Sequence, residues 1–277
     1  MLGKLLKYEF KATGRIFLPM YLVILVVAII NGFMLDINTD VLGSGNMQMI
    51  GFLVLFALVI ALAVITIVVT IQRFYKSLLG DEGYLMFTLP VSVKSLVLSK
   101  GIVATIWSIL SGIVSVAAFG IIVFMQVIKA MIVDSEIREI MNMISFSDLF
   151  NSVKSVVPVE VYSGIGTVIW IVVVITIVSY LSTVFGIYLS MAIGQMPKFT
   201  GYKVAASIIA FFVISFVTST IFEFIAPTDL LEVVETPISL IKELKEFTYY
   251  IAGYSIVECI ALFFGTTYIL EKKLNLS

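Results

Sequence analysis

Six long stretches that are almost free of charged side chains constrain this chain more than any other feature. They cover residues 16–35, 50–71, 102–128, 161–193, 204–222 and 247–270, and only the last contains a charge, Glu258. About 20 helical residues, at 1.5 Å each, cross a hydrocarbon core of about 30 Å. The sequence therefore predicts an all-α membrane protein with six transmembrane helices. Because Gly164 and Gly166 open the fourth stretch, we expect its helix to cover about 165–193.

The composition excludes most soluble and catalytic functions. Of the 277 residues, 61% are hydrophobic and 13% are charged, whereas a soluble domain has about half and about a quarter. The chain has no histidine and one cysteine, Cys259, which excludes an intrachain disulfide, a Cys/His zinc site and His-dependent catalysis. A net charge of −1 offers no general attraction to nucleic acid. No catalytic, cofactor-binding or metal-binding residue is predicted.

The charges between the stretches predict an orientation. Residues 1–15, 72–101, 194–203 and 271–277 carry 12 basic and 4 acidic side chains, whereas the other connections carry 5 basic and 13 acidic ones. Connections rich in Lys and Arg stay in the cytoplasm. Both termini are therefore expected to be cytoplasmic, which agrees with an even number of spans.

The N-terminal segment 1–15 is predicted to form an amphipathic helix in the headgroup layer. Its apolar and basic residues follow separate helical faces, with Leu2, Leu5 and Leu6 on the apolar one. The alternative is an ordinary basic flank that happens to be helical. The following stretch has 20 residues and no small-residue cleavage site, so we interpret it as a retained anchor rather than a signal peptide.

The 72–101 connection is too apolar for a solvated loop. Gly80 and Gly83 flank an acidic pair and predict a turn that leads into a short helix, which Pro90 would end. Ser92 is expected to cap a second helix that continues into the third span. An apolar cluster at this position indicates a surface for a partner protein, or a loop folded back onto its own helices.

The two long outside connections are 129–160 and 223–246. The first has apolar and charged residues at helical spacing, which predicts an amphipathic external helix. The second contains Pro227 and Pro237 and is expected to hold short broken helices that dip into the outer leaflet.

The order of these segments resembles the membrane subunit of type-2 ATP-binding cassette exporters. Residues 80–92, Gly-Asp-Glu-Gly-Tyr-Leu-Met-Phe-Thr-Leu-Pro-Val-Ser, followed by Lys100, are similar to that family's pattern of an acidic pair, a glycine, an apolar helix and Leu-Pro. Small bacterial exporters of amphipathic peptides, such as those for phenol-soluble modulins, are similar in size. The long 129–160 connection departs from the family, whose largest external element usually lies between spans five and six.

The resemblance implies a bacterial cytoplasmic membrane protein that works with a separate ATPase subunit. Its coupling element would consist of Asp81, Glu82, Gly83, Tyr84, Leu85, Met86 and Phe87. Tyr84–Phe87 would enter a groove of the ATPase, where Asp81 and Glu82 would meet basic groups or simply form a solvated turn. The chain lacks the Gly-x-x-x-x-Gly-Lys-Ser/Thr loop that binds phosphates, so ATP and Mg²⁺ would belong to the partner. A second membrane subunit, most simply another copy of this chain, would complete the pathway.

Two features within the spans are candidates for packing and function. Small residues recur every four positions in the fourth span, at Ser182, Gly186, Ser190 and Gly194, which predicts close helix packing within or between chains. Glu258 is near the midplane, where an isolated carboxylate is costly. We expect it to be uncharged or strongly hydrogen-bonded, with Tyr254 and Ser255 as possible partners. It is either a hydrogen-bond clip between helices or a residue that acts in gating or substrate contact.

Export of amphipathic peptides or lipid-like molecules is the function that this pattern favours. A secondary transporter or channel usually shows several intramembrane charges or an internal repeat, and an intramembrane enzyme needs a catalytic pair. The sequence shows no set of intramembrane charges, no internal repeat and no catalytic pair. A transporter, a channel and an intramembrane enzyme are therefore kept only as alternatives.

Overall fold

Helices make up nearly all of the structure, as predicted for a chain dominated by long apolar stretches. The computed structural model describes residues 2–34, 44–88, 90–133, 159–226 and 237–273, together with Glu139 and Ser147. Its helices are α1 (Leu2–Met34), α2 (Ser44–Phe74), α3 (Asp81–Thr88), α4 (Val93–Val133), α5 (Val159–Gly194), α6 (Lys203–Ile225) and α7 (Pro237–Lys272). A π-helical turn, Tyr75–Leu79, follows α2, and a 3₁₀ turn, Pro197–Phe199, precedes α6. The described residues contain no β-strand.

Six of these helices, all except α3, are long and apolar enough to cross a membrane. For the described residues this confirms the predicted all-α fold with six helices of spanning length, which indicates a multi-pass membrane protein. An α-helix suits this environment because it satisfies its backbone hydrogen bonds internally, and a bilayer core offers no water in their place.

The helices extend beyond the apolar stretches from which they were predicted. Helix α1 runs without a break from Leu2 through the segment expected to lie in the headgroup layer. Helix α7 begins at Pro237, so residues 237–246 belong to a continuous helix and are not the broken helices that were expected there. Proline suits this first helical position because its missing N–H would have no partner there. The helix predicted within 129–160 falls almost entirely outside the described residues.

Helix α5 also begins earlier than expected, at Val159, and continues through Gly164 and Gly166. The glycine at 164 serves packing rather than helix initiation. A Cβ atom at that position would lie 2.4 Å from the Ile241 side chain of α7, so only glycine allows the two helices to approach this closely.

The chain divides into two compact units, each built from several helices. Unit 1 comprises Met1–Phe10, Val68–Ile106 and Val157–Ser277. In it α5 packs along α7 and against α6. Its core includes the stacked rings of Phe74 and Tyr188, whose centroids are 3.9 Å apart. Unit 1 contains both regions for which the sequence predicted a function, the 72–101 connection and the surroundings of Glu258.

Unit 2 comprises Lys11–Ile67 and Trp107–Val156. Its described core joins α1, α2 and α4 through an aromatic stack and a chain of hydroxyls. The rings of Phe17 and Trp107 stack with centroids 4.8 Å apart. Ser111 Oγ lies 2.9 Å from the Tyr21 hydroxyl and 3.2 Å from Thr66 Oγ1. Such bonds satisfy polar groups that lipid cannot.

Candidate functional site

The segment between α2 and α4 is compactly folded rather than a loose loop. Helix α2 ends in the π-helical turn, closed by a hydrogen bond of 2.8 Å from the Gly80 N–H to the Tyr75 carbonyl. Helix α3 follows at once and ends before Pro90, and α4 begins at Val93. The Ser95 N–H donates to Ser92 Oγ at 3.4 Å. The predicted short helix, its end near Pro90 and the Ser92 cap are thereby confirmed.

Helix α3 begins at Asp81, so the acidic pair lies within the helix and not in the turn that was predicted between Gly80 and Gly83. Gly83 therefore lies in its first turn, where it is buried against the preceding π-helical turn. A Cβ atom on Gly83 would lie 2.7 Å from the carbonyl oxygen of Leu78, closer than side-chain carbons normally come. Met86 packs against the core of unit 1. Contacts on both sides thus hold α3 in place.

The acidic pair at the start of α3 is only partly described. Glu82 lies 3.5 Å from the ammonium group of Lys76, and both side chains are at least half exposed. An exposed pair of this kind contributes between zero and about 1 kcal/mol, so Glu82 remains accessible to other cations. The side chains of Asp81, Tyr84, Leu85 and Phe87 lie outside the described part of the structure.

A buried ion pair near this segment was not predicted. The Lys100 ammonium of α4 donates a hydrogen bond to the Glu9 carboxylate of α1, and the two side chains are only 3% and 15% exposed. The sequence nevertheless indicated that Glu9 is buried. Glu9 follows Leu2, Leu5 and Leu6 at helical spacing and therefore lies on the apolar face of the helix.

The small residues of the fourth span are all buried within the chain. Ser182 and Ser190 are 3% exposed, and Gly186 and Gly194 are also buried. A Cβ atom on Gly194 would lie 2.0 Å from Ser207 Oγ and 2.6 Å from the Lys203 carbonyl oxygen of α6. A close approach between helices of one chain is therefore seen at Gly194, whereas a Cβ atom on Gly186 would make an ordinary contact, 3.8 Å from the Leu262 side chain. Contact between two chains stays a prediction.

Glu258 lines a cavity of about 210 Å³ formed by α5, α6 and α7. Five hydroxyl groups share the cavity wall with its carboxylate, those of Ser179, Ser182, Thr183, Ser215 and Thr218. Within the described chain, no ion pair or hydrogen bond engages the Glu258 carboxylate. A carboxylate so placed within three candidate spans needs a proton or a cation to balance it.

Two of the five hydroxyls of this cavity have already donated their protons. Thr183 donates its proton to the Ser179 carbonyl at 2.9 Å, and Thr218 donates to the Ser215 carbonyl at 3.2 Å. A hydroxyl has one proton and two lone pairs, so these two groups can only accept further hydrogen bonds, whereas a serine without a described partner can both donate and accept. Ser182 Oγ is such a group, but it is buried.

Tyr254 does not bond Glu258, contrary to our expectation. Its hydroxyl donates to the Thr218 carbonyl of α6 at 2.5 Å, and its ring contacts Phe222 edge-on with centroids 5.1 Å apart. The hydrogen-bond clip between α6 and α7 is therefore made by Tyr254. This leaves the Glu258 carboxylate available to the cavity.

An apolar groove of about 570 Å³ lies next to this cavity. Its lining is almost entirely hydrocarbon and includes Ile193, Phe199, Ile209 and Val213. Ile214 of α6 lines both the groove and the cavity. The two spaces together present an apolar surface beside a group of oxygen acceptors.

Comparison of the chain with protein-family models, with characterised proteins and with solved structures found no match. The similarity to type-2 exporters thus rests on the order of its segments and on residues 80–92 with Lys100.

Proposed function

We infer that this chain is the membrane subunit of an ATP-driven exporter whose ATP hydrolysis takes place on a separate subunit. The observation that carries the proposal is helix α3, a short helix held between two candidate spans. A helix of this kind can transmit movement of an attached domain to the spans if it is rigidly mounted.

Two contacts support a rigid mounting of α3: Gly83 packs against the Leu78 carbonyl, and Met86 packs against the core of unit 1. The buried Glu9–Lys100 pair joins α1 to the start of α4. A movement of α3 would then be transmitted to α2 and α4 together. In the proposal Tyr84, Leu85 and Phe87 contact the ATPase, and Asp81 and Glu82 orient the helix.

The remaining parts of the proposal follow from charge and composition. In the proposal α3 and both termini lie in the cytoplasm, which the excess of basic residues in four segments supports, and the bacterial membrane is what the resemblance implies. Helix α6 has no buried side chain within its own chain, so lipid or a second copy of the chain can cover it. Apolar walls suit an amphipathic peptide or a lipid-like molecule that enters from the bilayer.

Co-purification with the ATPase subunit tests this proposal. Replacing Tyr84, Leu85 and Phe87 with serine should reduce recovery of the ATPase and abolish peptide-stimulated ATP hydrolysis, while membrane insertion is unchanged. Tyr8→Ser is the control, since Tyr8 is a 71% exposed aromatic residue on the same proposed side of the membrane. Normal complex formation and transport by the triple variant would contradict the proposed role of α3.

A secondary transporter is the second candidate, and the Glu258 cavity favours it. Intramembrane carboxylates often belong to ion or proton pathways. Transport by the purified chain in proteoliposomes, driven by an ion gradient without ATP or a partner subunit, would establish this function instead. Steady ion conductance in planar bilayers would establish a channel.

A further inference from the structure

We propose that the cavity around Glu258 binds an alkylammonium group, with the apolar part of the same ligand in the adjoining groove. Glu258 would supply the negative charge, and hydroxyl oxygens of α5 and α6 would accept the N–H bonds. That this ligand is an exported substrate rests on the proposed function, whereas the binding itself does not.

The Glu258 carboxylate has no described partner and therefore favours a cation. Thr183 and Thr218 have already given their protons to carbonyls of their own helices, so their oxygens can only accept. An ammonium group carries three N–H donors and no acceptor, so it can bond both the carboxylate and these oxygens. An anionic ligand would be repelled by the carboxylate, and a neutral ligand would leave its charge unbalanced.

The size of the cavity disfavours a bare metal ion. A hard cation such as Ca²⁺ takes 6–8 oxygens at about 2.3–2.6 Å. The Glu258 cavity has one carboxylate and a volume of about 210 Å³, room for several atoms beyond a single ion. Its acceptors come from three helices, which suits the tetrahedral donors of an ammonium better than the planar fork of a guanidinium.

The apolar part of the ligand would lie in the groove. The groove shares the lining residue Ile214 with the cavity and is lined by apolar side chains of α5, α6 and the 3₁₀ turn between them. In the proposal, an apolar chain bonded to the ammonium group passes Ile214 and lies in this groove.

Octylamine binding to the purified chain in phosphatidylcholine nanodiscs tests the site, without any ATPase. Octylammonium should bind at least about tenfold more tightly than octyltrimethylammonium, which has no N–H donor, because hydrogen bonds to charged groups each contribute about 1.5–3 kcal/mol. Octanol should bind more weakly still. Equal affinity for the three probes would overturn the proposal.

Variants locate the binding in the cavity. Glu258→Gln should weaken octylamine binding at least about tenfold, and Ser215→Ala, at an exposed residue that lines the cavity, should weaken it several-fold through loss of one acceptor. Glu271→Gln, an exposed carboxylate on the same helix, should leave it unchanged. Circular dichroism and size-exclusion profiles verify that each variant is folded, and Ser215→Ala keeps the test decisive if Glu258→Gln is not. Unchanged binding in folded Ser215→Ala and Glu258→Gln would overturn the assignment.

Competition identifies the source of the ammonium group. Displacement of octylamine by a leucine–lysine amphipathic peptide, but not by its acetylated form, assigns the site to peptide amines. Displacement by phosphatidylethanolamine in the nanodisc assigns it to lipid amines. Displacement by sodium chloride but not by choline chloride at equal ionic strength would overturn the proposal in favour of a sodium site. Because no ATPase is present, failure here leaves the exporter proposal intact, and failed co-purification leaves the ammonium site intact.

Discussion

The Lys100 ammonium donates a hydrogen bond to the Glu9 carboxylate, and this pair joins the first turns of α1 to the start of α4 in unit 1. Both side chains are withdrawn from solvent, with Lys100 3% and Glu9 15% exposed. A buried pair gains little net stability over apolar residues, but loss of one partner leaves an uncompensated charge. The pair therefore fixes a specific contact between the two helices.

Glu9→Gln or Lys100→Met should each destabilise the protein by about 3–5 kcal/mol, because each removes the oppositely charged side chain that is hydrogen-bonded to a buried charge. The double variant should recover much of that loss, since it leaves neither charge. Unfolding in detergent, followed by circular dichroism against denaturant, measures the difference.

Lys76→Met is the matched control for this prediction. Lys76 pairs with Glu82 at 3.5 Å in an exposed position, so its loss should cost between zero and about 1 kcal/mol. Equal effects of Lys76→Met and Lys100→Met would show that burial does not determine the energy of the Glu9–Lys100 pair.

Gly83→Ala should displace α3 from the π-helical turn. The added Cβ atom would lie 2.7 Å from the Leu78 carbonyl oxygen and 3.0 Å from its carbon, so backbone must move. Overpacking of this kind costs about 1–3 kcal/mol. Limited trypsin digestion should cut faster after Lys76, and ATPase recovery should fall if α3 couples the subunits.

Gly112→Ala provides the comparison for Gly83→Ala. A Cβ atom at Gly112 has nothing within 4 Å, so alanine should be neutral or slightly stabilising through its helix propensity. If trypsin cuts both variants at the wild-type rate, the close packing of α3 against the turn is wrong.

Gly194→Ala should separate the end of α5 from the start of α6. Its Cβ atom would meet the Lys203 carbonyl oxygen at 2.6 Å, which cannot be relieved by rotating a side chain. We expect a loss of about 1–3 kcal/mol, measured by thermal unfolding in detergent. Gly166→Ala in the same helix has open space around its Cβ and should be close to neutral. An equal loss in both variants would contradict the close contact.

The number and type of the helices could be predicted because membrane spans are determined by local hydrophobicity. The ends of the helices could not be predicted from the sequence, because helices such as α1 and α7 continue beyond the apolar stretch into amphipathic residues. The glycines at 164 and 166 also suggested a helix start, whereas Gly164 provides a close approach to Ile241 that depends on tertiary packing.

The candidate site around Glu258 could also be predicted only in part. Position 258 could be singled out because it is the only charged residue in its apolar stretch, and Ser182 because it recurs with other small residues. Which hydroxyls gather around Glu258 could not be predicted, since they come from three helices whose rotation is set by packing. The partner of Tyr254 was missed for that reason, because it is a backbone carbonyl of another helix.

Tyr254→Phe and Glu258→Gln should separate the interhelical clip from the candidate binding group. Tyr254→Phe removes the only described hydrogen bond of that hydroxyl, to Thr218, and should cost about 0.6–1 kcal/mol of stability. Glu258→Gln removes no described hydrogen bond and should leave unfolding nearly unchanged while it impairs octylamine binding. Both are measured on the purified chain by denaturant unfolding and by ligand titration. A Glu258→Gln variant that loses stability but binds octylamine normally would make Glu258 a clip. A Tyr254→Phe variant with wild-type stability would show that the Thr218 bond contributes nothing to the packing of α6 against α7.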